Sequence, residues 1–184
     1  MLTNLETVGD LVNLNQFHRR EILEIALTDP DYIAEDPLLT APQKKLRTLE
    51  HIGLVHVGSM VLSALVSNYL CDRCFELGLA TLSLIKSDLI ATETLSKFAI
   101  KMNFQEFCWL GTTYTHKPKS EQQKILANNL EALVGAVYLE LNRDILKTQN
   151  WLRDFFLKAA VDELLEQASP NSYQYLSLTD PVSQ

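Results

Sequence analysis

Between Leu54 and Leu70 the sequence leaves a helix almost no polar side. Val55, Val57, Val61, Leu62, Leu65, Val66, Tyr69 and Leu70 place apolar side chains nearly all round the axis. Such a helix has to be wrapped by others, so the segment from about Lys44 to Leu77 is expected at the centre of the fold. Elsewhere apolar residues also recur at helical spacing and β-branched alternation is scarce, which predicts an all-α protein. A first helix is expected around Asn15 to Thr28 with Ile22, Leu23, Ile25, Ala26 and Leu27 inward, stopped by Asp29-Pro30. Residues 29 to 43, carrying Pro30, Pro37 and Pro42, read as a connector.

Shorter helices are expected around Thr81 to Leu84, from Ala91 to Met102 with Thr92 as cap, and near Phe104 to Trp109. Gly111 to Gln123 reads as a polar loop. Lys124 to Leu141 is again strongly apolar, and Asp144 to Gln167 is amphipathic, with Trp151, Phe155, Phe156, Ala159, Val161 and Leu164 or Leu165 inward. Residues 1 to 15 read as an N-terminal segment, and residues 168 to 184, without Lys or Arg and with Pro170 and Pro181, as a flexible tail.

A chain of 184 residues, 47% of them hydrophobic, suits one globular domain. Folding at this length removes roughly 70% of the unfolded surface from water, so no disulfide or structural metal is needed. No uncharged apolar run is read as approaching the roughly 20 residues that cross a bilayer. The start MLTNLETVGD lacks a basic stretch and an apolar run. A cytoplasmic protein with no membrane partner is therefore expected. Three cysteines, Cys71, Cys74 and Cys108, are an odd number and favour reduced thiols. The net charge of -7 argues against indiscriminate nucleic-acid binding, leaving local basic patches.

Five motifs then follow in order. They are Ile22-Leu23-Glu24-Ile25-Ala26-Leu27-Thr28 running on to Tyr32; Val57-Gly58-Ser59-Met60-Val61-Leu62-Ser63 followed by Tyr69-Leu70; and Ile85 to Leu95. Trp109-Leu110-Gly111 and Ile125-Leu126-Ala127-Asn128-Asn129-Leu130-Glu131-Ala132-Leu133-Val134-Gly135-Ala136-Val137-Tyr138-Leu139 complete the set. Over residues 16 to 167 this succession resembles the nuclease domain of the ribonuclease III family, with its ALTH-x-S-Y, LGD-x-VL, LRSALV-x-EETL, RLG and ILAD-x-FEALIGAIYLD segments. The resemblance implies that domain's helical fold, and no double-stranded-RNA-binding domain is recognised beside it.

The family hydrolyses phosphodiesters with two Mg²⁺ ions held by four carboxylates. These are a Glu and an Asp four apart on one helix, and an Asp and a Glu three apart on another. Each pair shares a helical face, so the two helices can converge on one site. Carried onto this chain, the positions fall on Val55, Ser59, Asn128 and Glu131. Only Glu131 keeps a charge. Valine offers no ligand atom, and serine and asparagine offer neutral oxygens. Mg²⁺ or Mn²⁺ is therefore expected only if the site is active after all, with Glu131 the weak candidate ligand. In a second register Leu49-Glu50-His51-Ile52-Gly53 lies on the family's LEFLG, but it needs a five-residue insertion and puts Leu54 at the Asp. Asn128, Ser59 and His56 are the expected hydrogen-bond partners of Glu131.

Cys71 and Cys74 lack the second pair that a structural zinc needs and read as small core residues. His51 and His56 read as core or surface histidines. Candidate RNA contacts are Lys86, Lys117, Lys119 and Lys124, with Lys44, Lys45 and Arg47 as a further cluster. The expected function is that of a ribonuclease III-like pseudoenzyme in RNA processing or RNA and protein assembly. The alternatives are an active endoribonuclease with a rearranged site, and a protein-binding scaffold or regulatory partner of a complete ribonuclease III. The resemblance implies a homodimer and structured or double-stranded RNA as a weak partner; a protein partner is also open.

Overall fold

The structure, a computed structural model, describes residues 17–167; the N-terminal segment and the tail expected at 168–184 lie outside the described residues. Helices α1 (Arg20–Leu27), α2 (Pro30–Glu35), α3 (Ala41–Cys74), α4 (Gly78–Leu89), α5 (Thr92–Lys101), α6 (Lys119–Glu140), α7 (Ile145–Leu152) and α8 (Lys158–Gln167) follow in chain order. Short 3-10 turns lie at Phe75–Leu77, Phe104–Phe107 and Tyr114–His116.

The core is the pairing of α3 with α6, which share the largest interface. Leu62, Leu65, Val66 and Leu70 of α3 meet Leu126, Leu130, Leu133 and Val137 of α6 in one buried cluster, closed by Leu23 and Leu27 of α1 and Leu95 of α5. Each large aliphatic chain fully buried there contributes about 1.5–3 kcal/mol.

One expectation about membranes is corrected. The continuous stretch Ala41–Leu89 contains a window of mean hydropathy 1.5 and is, by length and composition, apolar enough to cross a bilayer. No Asp, Glu, Lys or Arg falls between His51 and Cys71. Interspersed Ser, His, Gly and Asn make this run look broken, although its average stays high. One side of it is taken up by the domain itself, because Leu54, Val61, Leu62, Leu65, Val66 and Leu70 lie in the core, while Ile52 and Met60 stay exposed.

Several boundaries differ from expectation because prolines were read only as breakers. Pro30 is the first residue of α2, capped by the Asp29 carboxylate on the Asp31 amide at 3.2 Å, and Pro42 sits in the first turn of α3. Proline is tolerated there, since the first-turn amides have no helical acceptor. The Gln43 side-chain oxygen accepts from the Thr40 amide at 2.9 Å, fixing the start of α3.

Within the described residues, α1 starts only at Arg20, because the amides of His18 and Arg19 are held by the Glu140 carboxylate at 2.8 and 3.1 Å. The short helix expected at Thr81 to Leu84 is the twelve-residue α4, and Ala91, not Thr92, caps α5. The last residues of the expected loop 111–123 are the first turn of α6. The expected amphipathic helix 144–167 is split by a π turn at Arg153–Leu157. There Phe98 meets the rings of Phe155 and Phe156 edge-on at 5.8 and 4.6 Å, and a bulge of this kind re-aims such side chains.

Candidate functional site

The helices α3 and α6 touch backbone to backbone. A β-carbon on Gly58 would overlap the carbonyl oxygen of Glu131 and lie 2.9 Å from the Gly135 amide; one on Gly135 would overlap the carbonyl of Leu54. Two glycines thus let the helices approach as closely as main chains can. Ser59 and Glu131 flank this contact, and Val55 and Asn128 lie on the same two helices about one turn before each. The neighbouring Gly53 has open space where its β-carbon would be. The tight glycine in the α3 motif is therefore Gly58. The alternative register would use Gly53, leave Glu50 exposed and bury Leu54 at the Asp position.

The four side chains at the crossing offer little to a cation. Val55 is half-buried and packs against the core. Ser59 donates to the carbonyl of His56 at 3.1 Å, a bond within its own helix. Asn128 and Glu131 are half-buried, and neither makes a side-chain hydrogen bond or ion pair among the described residues. The expected partnership of Glu131 with Asn128, Ser59 and His56 is thus absent: the Ser59 hydroxyl is satisfied locally and His56 is exposed. Burial alone pushes the Glu131 carboxyl up to about 7. No group of three or more His, Cys, Asp or Glu that could hold a metal occurs among the described residues.

The remaining candidates are scattered. Lys117 is ion-paired to Asp31 at 2.9 Å and Glu121 at 3.6 Å, which ties up its charge. Lys119 and Lys124 are exposed on α6 and Lys86 is half-buried on α4, none with an ion pair among the described residues. Lys119 and Lys124 are five apart, about 140° round the helix, so they do not share a face. The Lys44 ammonium donates to the Ala34 carbonyl, Lys45 is exposed and Arg47 half-buried. His51 is a core histidine whose Nδ1 lies 3.0 Å from the Ile25 carbonyl oxygen. Cys74 is buried as expected, but Cys71 is exposed, since it faces away from α6.

A polar cluster went unforeseen. Asp29 is 5% exposed, Asn129 fully buried, and Cys108 and Tyr114 face them. The Cys108 thiol, pushed up to about 12 by burial, lies beside Asn129 yet donates to the Phe104 carbonyl at 3.4 Å. Among the described residues neither amide atom of Asn129 has a hydrogen-bond partner of its own. The sequence signal was weak, being only an Asp before a Pro and an Asn on an apolar helix face.

Comparison with known proteins agrees with this fold. The family model described as Ribonuclease-III-like matches residues 20–159. The chain belongs to that family. Ribonuclease 3 of Carboxydothermus hydrogenoformans is 30% identical over 138 residues, covering 74% of this chain and 55% of that protein. Ribonuclease 3 of Ligilactobacillus salivarius is 27% identical over 67% of this chain and 51% of its own length. The chain thus spans little more than half the length of these two relatives.

The solved nuclease domain of ribonuclease III from Campylobacter jejuni superposes with a TM-score of 0.65 at 19% identity, over 90% of this chain and 99% of that one. A second structure of that domain, at 0.62 and 20% identity over 84% and 95% of the two chains, concerns structural flexibility in a region involved in dimer formation. These two structures share the all-α fold.

Proposed function

We propose that this domain keeps the ribonuclease III frame without cutting RNA, and serves RNA processing or RNA and protein assembly as a docking module. The observation behind this reading is the donor set that α3 and α6 carry around their crossing: Val55, Ser59 and Asn128 with a single carboxylate, Glu131. Magnesium needs several hard oxygen ligands in near-octahedral order, and two-metal hydrolysis needs enough negative charge to hold two ions. One carboxylate with a raised pKa supplies neither, so these residues do not fit the family's metal pair.

The test is incubation of long duplex RNA with the purified chain in Mg²⁺ and in Mn²⁺, beside an intact family enzyme. No cleavage by this chain is expected. Cleavage that disappears in Glu131→Ala overturns the reading and favours an active endoribonuclease with a rearranged site.

A protein partner is favoured by a second observation. Ile52 and Met60 of α3 are 53% and 63% exposed on a stretch without Asp, Glu, Lys or Arg between residues 51 and 71, and Leu49 before it and Phe75 just after α3 are 55% and 75% exposed. Such a face suits a second copy of the domain, in keeping with the dimer region of the Campylobacter jejuni structure. It also suits a complete ribonuclease III subunit, which this chain would regulate. Lys86, Lys119 and Lys124 remain the RNA-facing candidates, in a cytoplasmic setting. A salt-dependent gel shift on duplex RNA separates an RNA module from a purely protein-binding one.

A further inference from the structure

The segment from Cys108 to Pro118 is clipped onto the end of α1, the junction at Asp29 and α2 by four contacts. Trp109 donates its amide to Leu27 and takes the Asp29 amide on its carbonyl, both at 2.9 Å. The Thr112 amide donates to the Glu35 carboxylate at 2.8 Å, and Lys117 pairs with Asp31 at 2.9 Å. Gly111 packs so closely that a β-carbon there would lie 2.8 Å from that of Asp31. Beneath this clip sits the Asp29 side chain, whose one hydrogen bond is the long cap to the Asp31 amide.

The charges around Asp29 are unbalanced. On α2 it faces Asp31 and Glu35; from the segment, Cys108, Tyr114 and Lys117; across Lys117 lies Glu121 of α6. Lys44 of α3 binds the Ala34 carbonyl instead, and the neighbouring Asn129 is neutral. The one cation among these groups that acts on Asp29, Lys117, is already shared between two other carboxylates.

We propose that Asp29 makes this joint a proton-operated clip: neutral, it lets the 108–118 segment close on α2; ionised, it draws in water and loosens that segment, displacing Lys117 ahead of α6. A buried carboxylate with one hydrogen bond has no other means of recovering its solvation. Burial, then Asp31, push its pKa from 3.8 to about 6, while burial keeps the Cys108 and Tyr114 protons on through that range.

The test uses the full chain labelled with 5-fluorotryptophan, whose two tryptophans, Trp109 and Trp151, give separate fluorine resonances. The Trp109 resonance is expected to titrate with a midpoint near pH 6, and Trp151 to stay still. Asp29→Asn, which keeps the helix cap, is expected to abolish the titration, and Lys117→Met to raise its midpoint. His116→Gln is expected to leave it unchanged. Persistence of the titration in Asp29→Asn, its loss in His116→Gln, or an unmoved midpoint in Lys117→Met overturns the proposal. A flat wild-type curve between pH 5 and 8 does so as well.

Discussion

Gly58 and Glu131 meet main chain to main chain, with no room between them for a methyl group. Gly58→Ala must therefore push α3 away from α6. Overpacking of this kind costs about 3 kcal/mol, which for a domain of this size lowers Tm by roughly 6–12 °C. Gly53→Ala, on the same helix but facing open space, is expected to raise stability by about 0.5–1 kcal/mol through helix propensity. Paired melting curves check both, and equal effects at the two sites would contradict the crossing described above.

Glu131 gives the crossing a pH dependence of known sign. Its folded pKa of about 7 stands above the ordinary 4.5, so the folded state holds the proton more tightly than the unfolded chain. The stability it contributes is complete below pH 4.5 and is lost as pH rises towards 7. Glu131→Gln is expected to gain about 1 kcal/mol over wild type at pH 8, a figure discounted for its partial exposure, and nothing at pH 4. Urea titrations at the two pH values measure the difference.

His51 titrates with the opposite sign. Burial lowers its pKa below 6.5, so the neutral ring belongs to the folded state and stability falls as pH drops below 6.5. A carbonyl oxygen can only accept, so the contact with Ile25 fixes the proton on Nδ1. Long-range proton–nitrogen correlation spectra are expected to show that tautomer at pH 7.

Glu140 ties the start of the described chain to the end of α6. Burial pushes its carboxyl up, but hydrogen bonds from the His18 amide and ring and the Arg19 amide prevail and hold it below the usual range. Glu140→Ala leaves those amides without their acceptor and is expected to cost about 1–3 kcal/mol. Hydrogen exchange of the first turn of α1 should accelerate more than that of α3.

The donor set at the crossing can be rebuilt. Val55→Glu, Ser59→Asp and Asn128→Asp together with native Glu131 restore the four family carboxylates on α3 and α6, the helices that cross at Gly58. Calorimetric titration with Mn²⁺ is expected to show uptake by the triple variant and none by wild type.

The central elements were legible because their signal is local. Apolar residues on every side of Leu54 to Leu70 specify burial whatever the surroundings. The substitutions at 55, 59 and 128 could be read for the same reason, since each is an identity at a fixed helical position. What failed depends on partners distant in sequence. The Glu140 bonds that delay α1 span more than a hundred residues, and the Asp29 cluster exists only once the segment at Trp109 lies against Leu27. Cys71 was assigned inward from its spacing with Cys74, but three residues turn a helix by about 300°, enough to carry it to the outer side.

The joint at Gly58 and Gly135 holds by shape alone, since neither residue has a side chain with which to take part in chemistry. Charges beside it can be exchanged for valine, serine or asparagine without disturbing how the helices seat. On the function proposed above, hydrolysis and architecture are separately heritable in this domain, and a lineage can discard the first while inheriting the second intact.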